Sequence, residues 1–459
     1  FSYIQKILLP LFYTIQMSVT GTVLGIFFAL VLSPFGAANL GFPAVIRRIL
    51  RIVIQILRSF PALILALTAT FLFGLGTFAG TFAITLYTFA IMTKLTYEDA
   101  SAADVKAYQA LRAMGVSKYV AYIHGILPEI IPGFLTNALY LLETNVRHSS
   151  ILGYVGAGGI GLLLNEKISW LEYDKVGTIL LMLFLTVCVI EYFSRYLAAL
   201  IRKERTIKKE QARLLLLFLA ALFLICTFTL SLPDFSRTSP QTLRNMFAGF
   251  LQPDWSFFFS AEKDGLGYLL LETVCIAFIG TVIGAIVSAP LAFLNTKRFV
   301  PAPVSFLFNL VIMVIRSVPF LVYGLIFIRV SGPGAFTGVL TLAVCSIGLL
   351  TKRFTEALDA LDPRPYHALL AMGVRPLPAI CHSVLPQLKP VFTSIILYRF
   401  DVNIREASVL GLVGAGGIGA PLIFSMNQYA WEKAGAIMLG LILFVWFIDM
   451  VSEKIGAGN

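Results

Sequence analysis

Charge is scarce in this chain. Of its 459 residues, 13% are Asp, Glu, Lys or Arg against 58% hydrophobic, and the mean hydropathy is +0.87. No soluble core needs so much apolar surface, so a water-soluble enzyme or binding module is excluded. Cysteine is sparse too. Cys188, Cys226, Cys275, Cys345 and Cys381 show no Cys-x-x-Cys spacing, which excludes a disulfide scaffold or thiolate metal site and predicts free, buried thiols. The four histidines lack metal-ligand spacing, so no metal site is expected; His124 and His382 each stand alone before a Leu-Pro, which suggests a structural role. No Gly-x4-Gly-Lys-Ser/Thr sequence is present, so ATP hydrolysis and any ATP or Mg binding lie outside this chain, which is not itself an enzyme. No secretory signal peptide is evident, and an opening at Phe1 without Met suggests that residues precede it.

What is there is apolar runs of about 20 residues, the length of a transmembrane helix. The formal charge of +11 does not indicate nucleic acid, because the basic residues cluster between the runs: Arg47, Arg48 and Arg51; Arg202, Lys203, Arg205, Lys208, Lys209 and Arg213; Lys297 and Arg298; Lys352 and Arg353. They read as cytoplasmic loops of a polytopic all-α membrane protein.

The chain is also a repeat. Asn145-Val-Arg-His-Ser-Ser-Ile-Leu-Gly-Tyr-Val-Gly-Ala-Gly-Gly-Ile-Gly161 returns 258 residues later as Asn403-Ile-Arg-Glu-Ala-Ser-Val-Leu-Gly-Leu-Val-Gly-Ala-Gly-Gly-Ile-Gly419. From Glu143/Asp401 onward, twelve of nineteen positions are identical. Arg58-Ser59-Phe-Pro61 matches Arg316-Ser317-Val-Pro319, and Glu191 and Ser194 match Asp449 and Ser452. Spans are expected near 7–33, 46–73, 78–95, 130–147 and 174–200, then 266–293, 304–330, 337–351, 388–405 and 432–451, with one more near 214–231. The domains are therefore 1–205, a linking helix and external segment 206–265, and 266–459. Five spans per copy plus one between them make the copies parallel rather than inverted, with the C-terminus cytoplasmic.

Between the third and fourth spans lie long polar stretches, each a helical pattern, a Gly and a Leu-Pro. Gln109-Ala110 precedes Gly115 and Leu127-Pro128; His367-Ala368 precedes Gly373 and Leu385-Pro386. This resembles the EAA loop of ABC importer permeases, Glu-Ala-Ala, three residues, Gly, nine residues, Ile, one residue, Leu-Pro. Gln109 and His367 replace its Glu, and Gly125 and Ser383 its Ile.

The doubled Val-Gly-Ala-Gly-Gly-Ile-Gly lacks the preceding strand of a nucleotide fingerprint, and follows a membrane helix on the external side. Gly156, Gly158, Gly159 and Gly161, with Gly414, Gly416, Gly417 and Gly419, permit irregular backbone and close packing. With Asn-x-Arg they resemble the methionine- and phosphonate-importer branch of type I permeases. Asp401-Val-Asn403-Ile-Arg405 and Asp359-Ala-Leu-Asp362-Pro-Arg-Pro365 look most like phosphonate permeases.

The resemblance implies a multi-pass permease of the bacterial inner membrane, moving phosphonate, phosphate or phosphite by ATP-driven alternating access. Two ATPase subunits would dock on the loop helices, and an external binding protein would deliver the small anion. A methionine-like zwitterion is the alternative cargo. An ion-coupled secondary transporter is the rival class.

Charges inside the spans carry two open readings. Arg58 and Arg316 lie about 12 residues into the second span, roughly 18 Å along a helix. Glu143–Arg147 and Asp401–Arg405 have ion-pair spacing on one helix face. Either these groups are structural, or the arginines line an anion path, with Asn145, Asn403, Ser150 and Ser408 as neutral donors. Arg399 faces Leu141 and Glu406 faces His148 in the repeat register, so the two-fold is imperfect.

Overall fold

Helix is the only extended secondary structure among the described residues, which in the computed structural model are 2–201, 209–233, 240–260, 262 and 265–457. Arg202, Lys203, Arg205 and Lys208 of the central basic cluster lie outside them, as do the side chains of Lys209, Asp449 and Ser452. The chain divides into two units, Phe1–Arg244 and Asn245–Asn459.

The first unit runs α1 (Ser2–Gly36), α2 (Ala44–Ser59), α3 (Ala62–Phe73), α4 (Thr77–Ala102), α5 (Lys106–Ala113), α6 (Lys118–Gly125), α7 (Leu127–Leu152), α8 (Ile160–Ser169), α9 (Tyr173–Ile201) and α10 (Lys209–Phe228). Next, α11 (Pro240–Leu251) crosses the unit boundary and α12 (Trp255–Phe258) follows. The second unit then repeats the order as α13 (Leu266–Asn295), α14 (Ala302–Ser317), α15 (Phe320–Ser331), α16 (Ala335–Ala360), α17 (Arg364–Ala371), α18 (Pro376–Ala379), α19 (Leu385–Leu410), α20 (Gly419–Asn427) and α21 (Trp431–Ala457). Seven helices among the described residues are long and apolar enough to cross a membrane, or ten if each of three bent pairs is one crossing. The linking helix near 214–231 contributes a shorter apolar stretch, Leu217–Phe228.

The second span of each half is not one helix, contrary to expectation. α2 and α3 meet at 95°, and α14 and α15 at 86°. Proline disfavours helical backbone in the residue before it. Phe60, before Pro61, takes φ −88°, ψ 126°, and Val318, before Pro319, takes φ −80°, ψ 124°. Arg58 and Arg316 therefore sit in a last helical turn beside a break, not midway along a continuous span. The cysteines need a second correction. Cys226 is buried, but Cys275 on α13 and Cys381 in the polar loop before α19 are exposed.

The helices pack closely where the sequence supplies small residues four apart. Gly21 and Gly25 of α1 face α4: a Cβ there would come within 2.8 Å of Ile84 and 2.7 Å of Thr88. Gly280 and Gly284 of α13 repeat this against Leu342 and Ser346 of α16. Basic side chains close the helix ends. Arg51 donates from Nε and Nη2 to the Gly36 carbonyl at 3.0 and 2.9 Å, and Arg298 donates to the Leu361 carbonyl at 2.9 Å. Cations there complement the helix C-terminal dipole.

The link is shared between the units. Gln16 Nε2 donates to the Cys226 carbonyl (3.1 Å) and Thr229 Oγ1 (2.8 Å), which seats α10 on α1. The Asp254 N–H donates to the Glu432 carbonyl at 3.0 Å, and Phe250 packs edge-on to Trp431, which ties 250–254 to α21.

Gly25→Val forces the α1–α4 seam apart and is expected to destabilise by roughly 1–3 kcal/mol or prevent folding. Gly177→Ala, where an added Cβ meets nothing within 4 Å, should be neutral or slightly stabilising. Thermal unfolding in detergent compares the two, and equal effects would refute the close-packing account.

Candidate functional site

The doubled motif begins at the asparagines. Asn145 on α7 is fully buried, and its Nδ2 donates to Thr22 Oγ1 of α1 (2.7 Å) and Thr88 Oγ1 of α4 (2.8 Å). Asn403 on α19 does the same with Thr281 Oγ1 of α13 (2.7 Å) and Ser346 Oγ of α16 (2.9 Å). One side chain thus joins three helices in each unit. Two further bonds strengthen the first: Ser18 Oγ and Ser149 Oγ lie 2.7 Å apart, and Ser149 Oγ donates to the Asn145 carbonyl at 2.8 Å. Ser150 and Ser408 are buried and donate back to the Arg147 and Arg405 carbonyls at 2.6 and 2.7 Å. The donor hydrogens expected to face a pathway are engaged within the helices.

The charged pairs flank each asparagine, two residues to either side. Arg147 bonds Glu143 and Arg405 bonds Asp401, each through Nη2 along one helix face. All four side chains are between 12% and 18% exposed, so water is largely withheld and Coulomb attraction is strong. Arg58 and Arg316 stand apart from these pairs in chain position, at the bends. The Arg316 stem packs at Gly348 of α16, where a Cβ would approach its Cγ to 3.0 Å.

The glycine segment folds into a tight loop after each of these helices. Gly156, Gly158 and Gly159 have φ of 85°, 80° and 77°; Gly414, Gly416 and Gly417 have 89°, 80° and 76°. This left-handed backbone strains any residue with a Cβ. Gly161 and Gly419 serve differently, since a Cβ there would strike the Ser150 or Ser408 carbonyl. Threonines absent from the motif hold the loop. Thr14 Oγ1 accepts from the Ile160 N–H (2.9 Å) and Thr273 Oγ1 from the Ile418 N–H (3.1 Å). In addition, the Gly76 N–H donates to the Gly156 carbonyl (3.0 Å), and the Gly334 N–H to that of Gly414 (2.9 Å). The loop is therefore a structural junction of three segments, with its N–H groups at Ile160 and Ile418 already bonded.

The polar loops fold into short helices ending in glycine. The Gly115 N–H donates to the Arg112 carbonyl and Val116 N–H to that of Leu111; Gly373 and Val374 repeat this with Leu370 and Leu369. Gly115 and Gly373 have φ of 85° and 83°, as this helix ending requires. Gln109 and Ala110, like His367 and Ala368, are exposed, and Leu127-Pro128 and Leu385-Pro386 open α7 and α19. Tyr108 Oη donates to the Leu40 carbonyl at 2.6 Å, fastening α5 to the end of α1. Gly125, at the Ile position of the EAA pattern, lets α6 touch α5: a Cβ would lie 2.8 Å from the Tyr108 nitrogen.

The pairing of Arg399 with Glu406 was not read from sequence. Arg399 on α19 is buried; its Nη2 donates to Glu406 Oε2 at 2.9 Å and its Nε to Ser346 Oγ at 3.2 Å. In the first unit His148 instead packs edge-on to Tyr87, centroids 5.1 Å apart. The i, i+7 spacing was the available signal, hidden because neither residue has a charged counterpart in the other half.

Residues 6–206 and 280–455 match the family described as "Binding-protein-dependent transport system inner membrane component". The chain is 28% identical over 447 residues to a phosphate-import permease protein PhnE of Mycolicibacterium smegmatis, covering 96% of this chain and 83% of that one. It is 36% identical over 184 residues to the phosphite transport system permease protein PtxC of Stutzerimonas stutzeri, covering 40% of this chain and 67% of that one. A solved inward-facing MetNI methionine ABC transporter aligns with TM-score 0.36 and 19% identity, over 48% of this chain and 98% of that one. The match in both halves places this chain in the binding-protein-dependent inner membrane component family, as a multi-pass all-α protein of the bacterial inner membrane carrying two copies of the permease domain.

Proposed function

We propose that this chain moves a phosphorus oxyanion (phosphonate, phosphate or phosphite) into the cytoplasm, as the permease of an ATP-driven importer. The observation that carries the substrate class is the similarity, over 96% of the chain, to a permease named for phosphate import. Arginines are chemically suited to the task, because a guanidinium offers fixed donors to phosphoryl oxygens. In this reading Arg147 and Arg405, paired with Glu143 and Asp401, lie along the pathway, and Arg58 and Arg316 line it at the bends. Asn145 and Asn403 hold the helices that carry them.

The partners follow from the same reading. Two copies of an ATPase subunit bind ATP and Mg and dock on α5 and α17; an external binding protein delivers the anion. ATP binding draws the two docking helices together and favours an outward-open pathway. The loaded binding protein favours the same state, so hydrolysis is linked to delivery.

The direct test is ATP hydrolysis by the chain with its ATPase in lipid nanodiscs. Binding protein loaded with alkylphosphonate, phosphate or phosphite should stimulate it several-fold. Stimulation by methionine alone would overturn the substrate class, and hydrolysis indifferent to any loaded binding protein would overturn the importer reading.

Neutralising an ion pair as a unit separates pathway from scaffold. Asp401→Asn with Arg405→Gln should leave the unfolding temperature nearly unchanged, because both charges leave together. Anion uptake should nevertheless fall by about tenfold, the loss of one charge-assisted contact. Uptake within twofold of the parent would assign the pair to structure.

The Arg399–Glu406 pair yields a different expectation. Arg399→Leu alone leaves Glu406 without its buried partner and should cost roughly 3–5 kcal/mol. Arg399→Leu with Glu406→His installs the residue types found at Leu141 and His148 and should recover most of that loss. A double variant no more stable than the single one, by thermal unfolding in detergent, would refute the coupling.

A further inference from the structure

The segment that leads into the second unit exposes apolar side chains in a regular order. Phe247 and Leu251 of α11, Trp255 of α12 and Phe259 just after it recur every four residues, and all are between 54% and 82% exposed. Asn245 and Ala248 of α11, with Gln252 after it, are exposed as well, while Met246 and Gly249 are buried and Phe250 is half-buried. At 3.6 residues per turn these sets fall in three separate sectors of the helix. A surface helix in water needs only two, one toward the protein and one toward solvent.

The protein-facing sector fixes the level at which the segment lies. A Cβ at Gly249 would strike Trp431, Phe250 packs edge-on to the same ring, and the Asp254 N–H donates to the Glu432 carbonyl at 3.0 Å. Helix α12 packs on both α13 and α21. The membrane-crossing stretch of α21 begins at Trp431, and Glu432 and Lys433 in its first turn are exposed. Exposed charges at the mouth of a span mark the boundary between hydrocarbon and water. Residues 249–254 are fastened at that boundary, so α11 and α12 lie across it. It is the external boundary, because α13 begins there and ends at Asn295 beside the basic Lys297 and Arg298.

We infer that α11 and α12 form an in-plane anchor in the outer leaflet, whose ligand is phospholipid. Phe247, Leu251, Trp255 and Phe259 enter the upper acyl chains; Asn245, Ala248 and Gln252 face water; and Met246, Gly249 and Phe250 grip the outer end of α21. Trp255 suits this depth, with an apolar body for the chains and an N–H for the headgroups. Exposed Lys433, whose Nζ lies 4.7 Å from the Phe257 ring centroid, supplies a cation at the level of the lipid phosphates. The stripe itself carries no charge. It has no electrostatic means of selecting a protein partner, whereas lipid asks only for apolar area. The inference depends on neither the cargo nor the ATPase.

The test uses the full chain in its native membrane. A photo-crosslinking amino acid at 251 should capture phospholipid, identified by mass spectrometry, at least about fivefold more than one at 252, as lipid-facing and water-facing positions of an interfacial helix differ. Equal lipid capture at the two positions, or an external polypeptide captured at 251, would overturn the inference. Hydrogen exchange in lipid nanodiscs supplies a second readout. Phe247→Ser, Leu251→Ser and Phe259→Ser together should speed amide exchange over 245–259 by about tenfold, because local opening no longer withdraws apolar groups from lipid. Asn245→Ser with Gln252→Ser should stay within about twofold of the parent. No acceleration by the triple variant, or the same acceleration by both variants, removes the anchor.

Discussion

A polar group inside a bilayer has no water to bond with, so it must find its partner within the protein. That constraint organises both units. Asn145 and Asn403 are buried completely, and the amide nitrogen of each meets the constraint by donating to hydroxyls on two other helices at 2.7–2.9 Å. Those bonds exist only if the helices are already close, and Gly21, Gly25, Gly280 and Gly284 bring them close. Close packing and polar bonding are therefore one device: remove the glycines and the asparagines lose their partners.

The same rule governs the segments around this seam. The glycine loops bend sharply away from α7 and α19, and a helix-borne threonine accepts the N–H of Ile160 or Ile418. Proline breaks the second span of each half and leaves its last turn carrying an arginine. At the polar loops, a glycine ending stops each short helix after one methionine.

The two units share backbone and clamp but not every charge. Fusion of two permease domains in one chain removes the requirement that they be identical. The second unit carries Arg399, Glu406 and Ser346 in contact where the first carries Leu141, His148 and Thr88. The short loop helices α5 and α17 differ in their polar residues, yet each is followed by an exposed methionine, Met114 or Met372.

Composition alone determined that this is an all-helical membrane protein, since no other structure spans a bilayer with runs this apolar. The 258-residue register determined that it is built twice, and the Gly and Leu-Pro positions located the short helices of the polar loops. Tertiary structure decided what pattern could not. The break at Arg58 and Arg316 depended on the backbone before Pro61 and Pro319, which hydropathy does not see. Pattern alone left Asn145 open between a structural and a pathway role, because the partners of its amide, Thr22 and Thr88, lie 123 and 57 residues away. Repeat comparison singled out Arg399 and Glu406 as departures from the two-fold, but it could not show that they pair with each other. Sequence records which groups must be satisfied; only the folded chain shows which neighbour satisfies them.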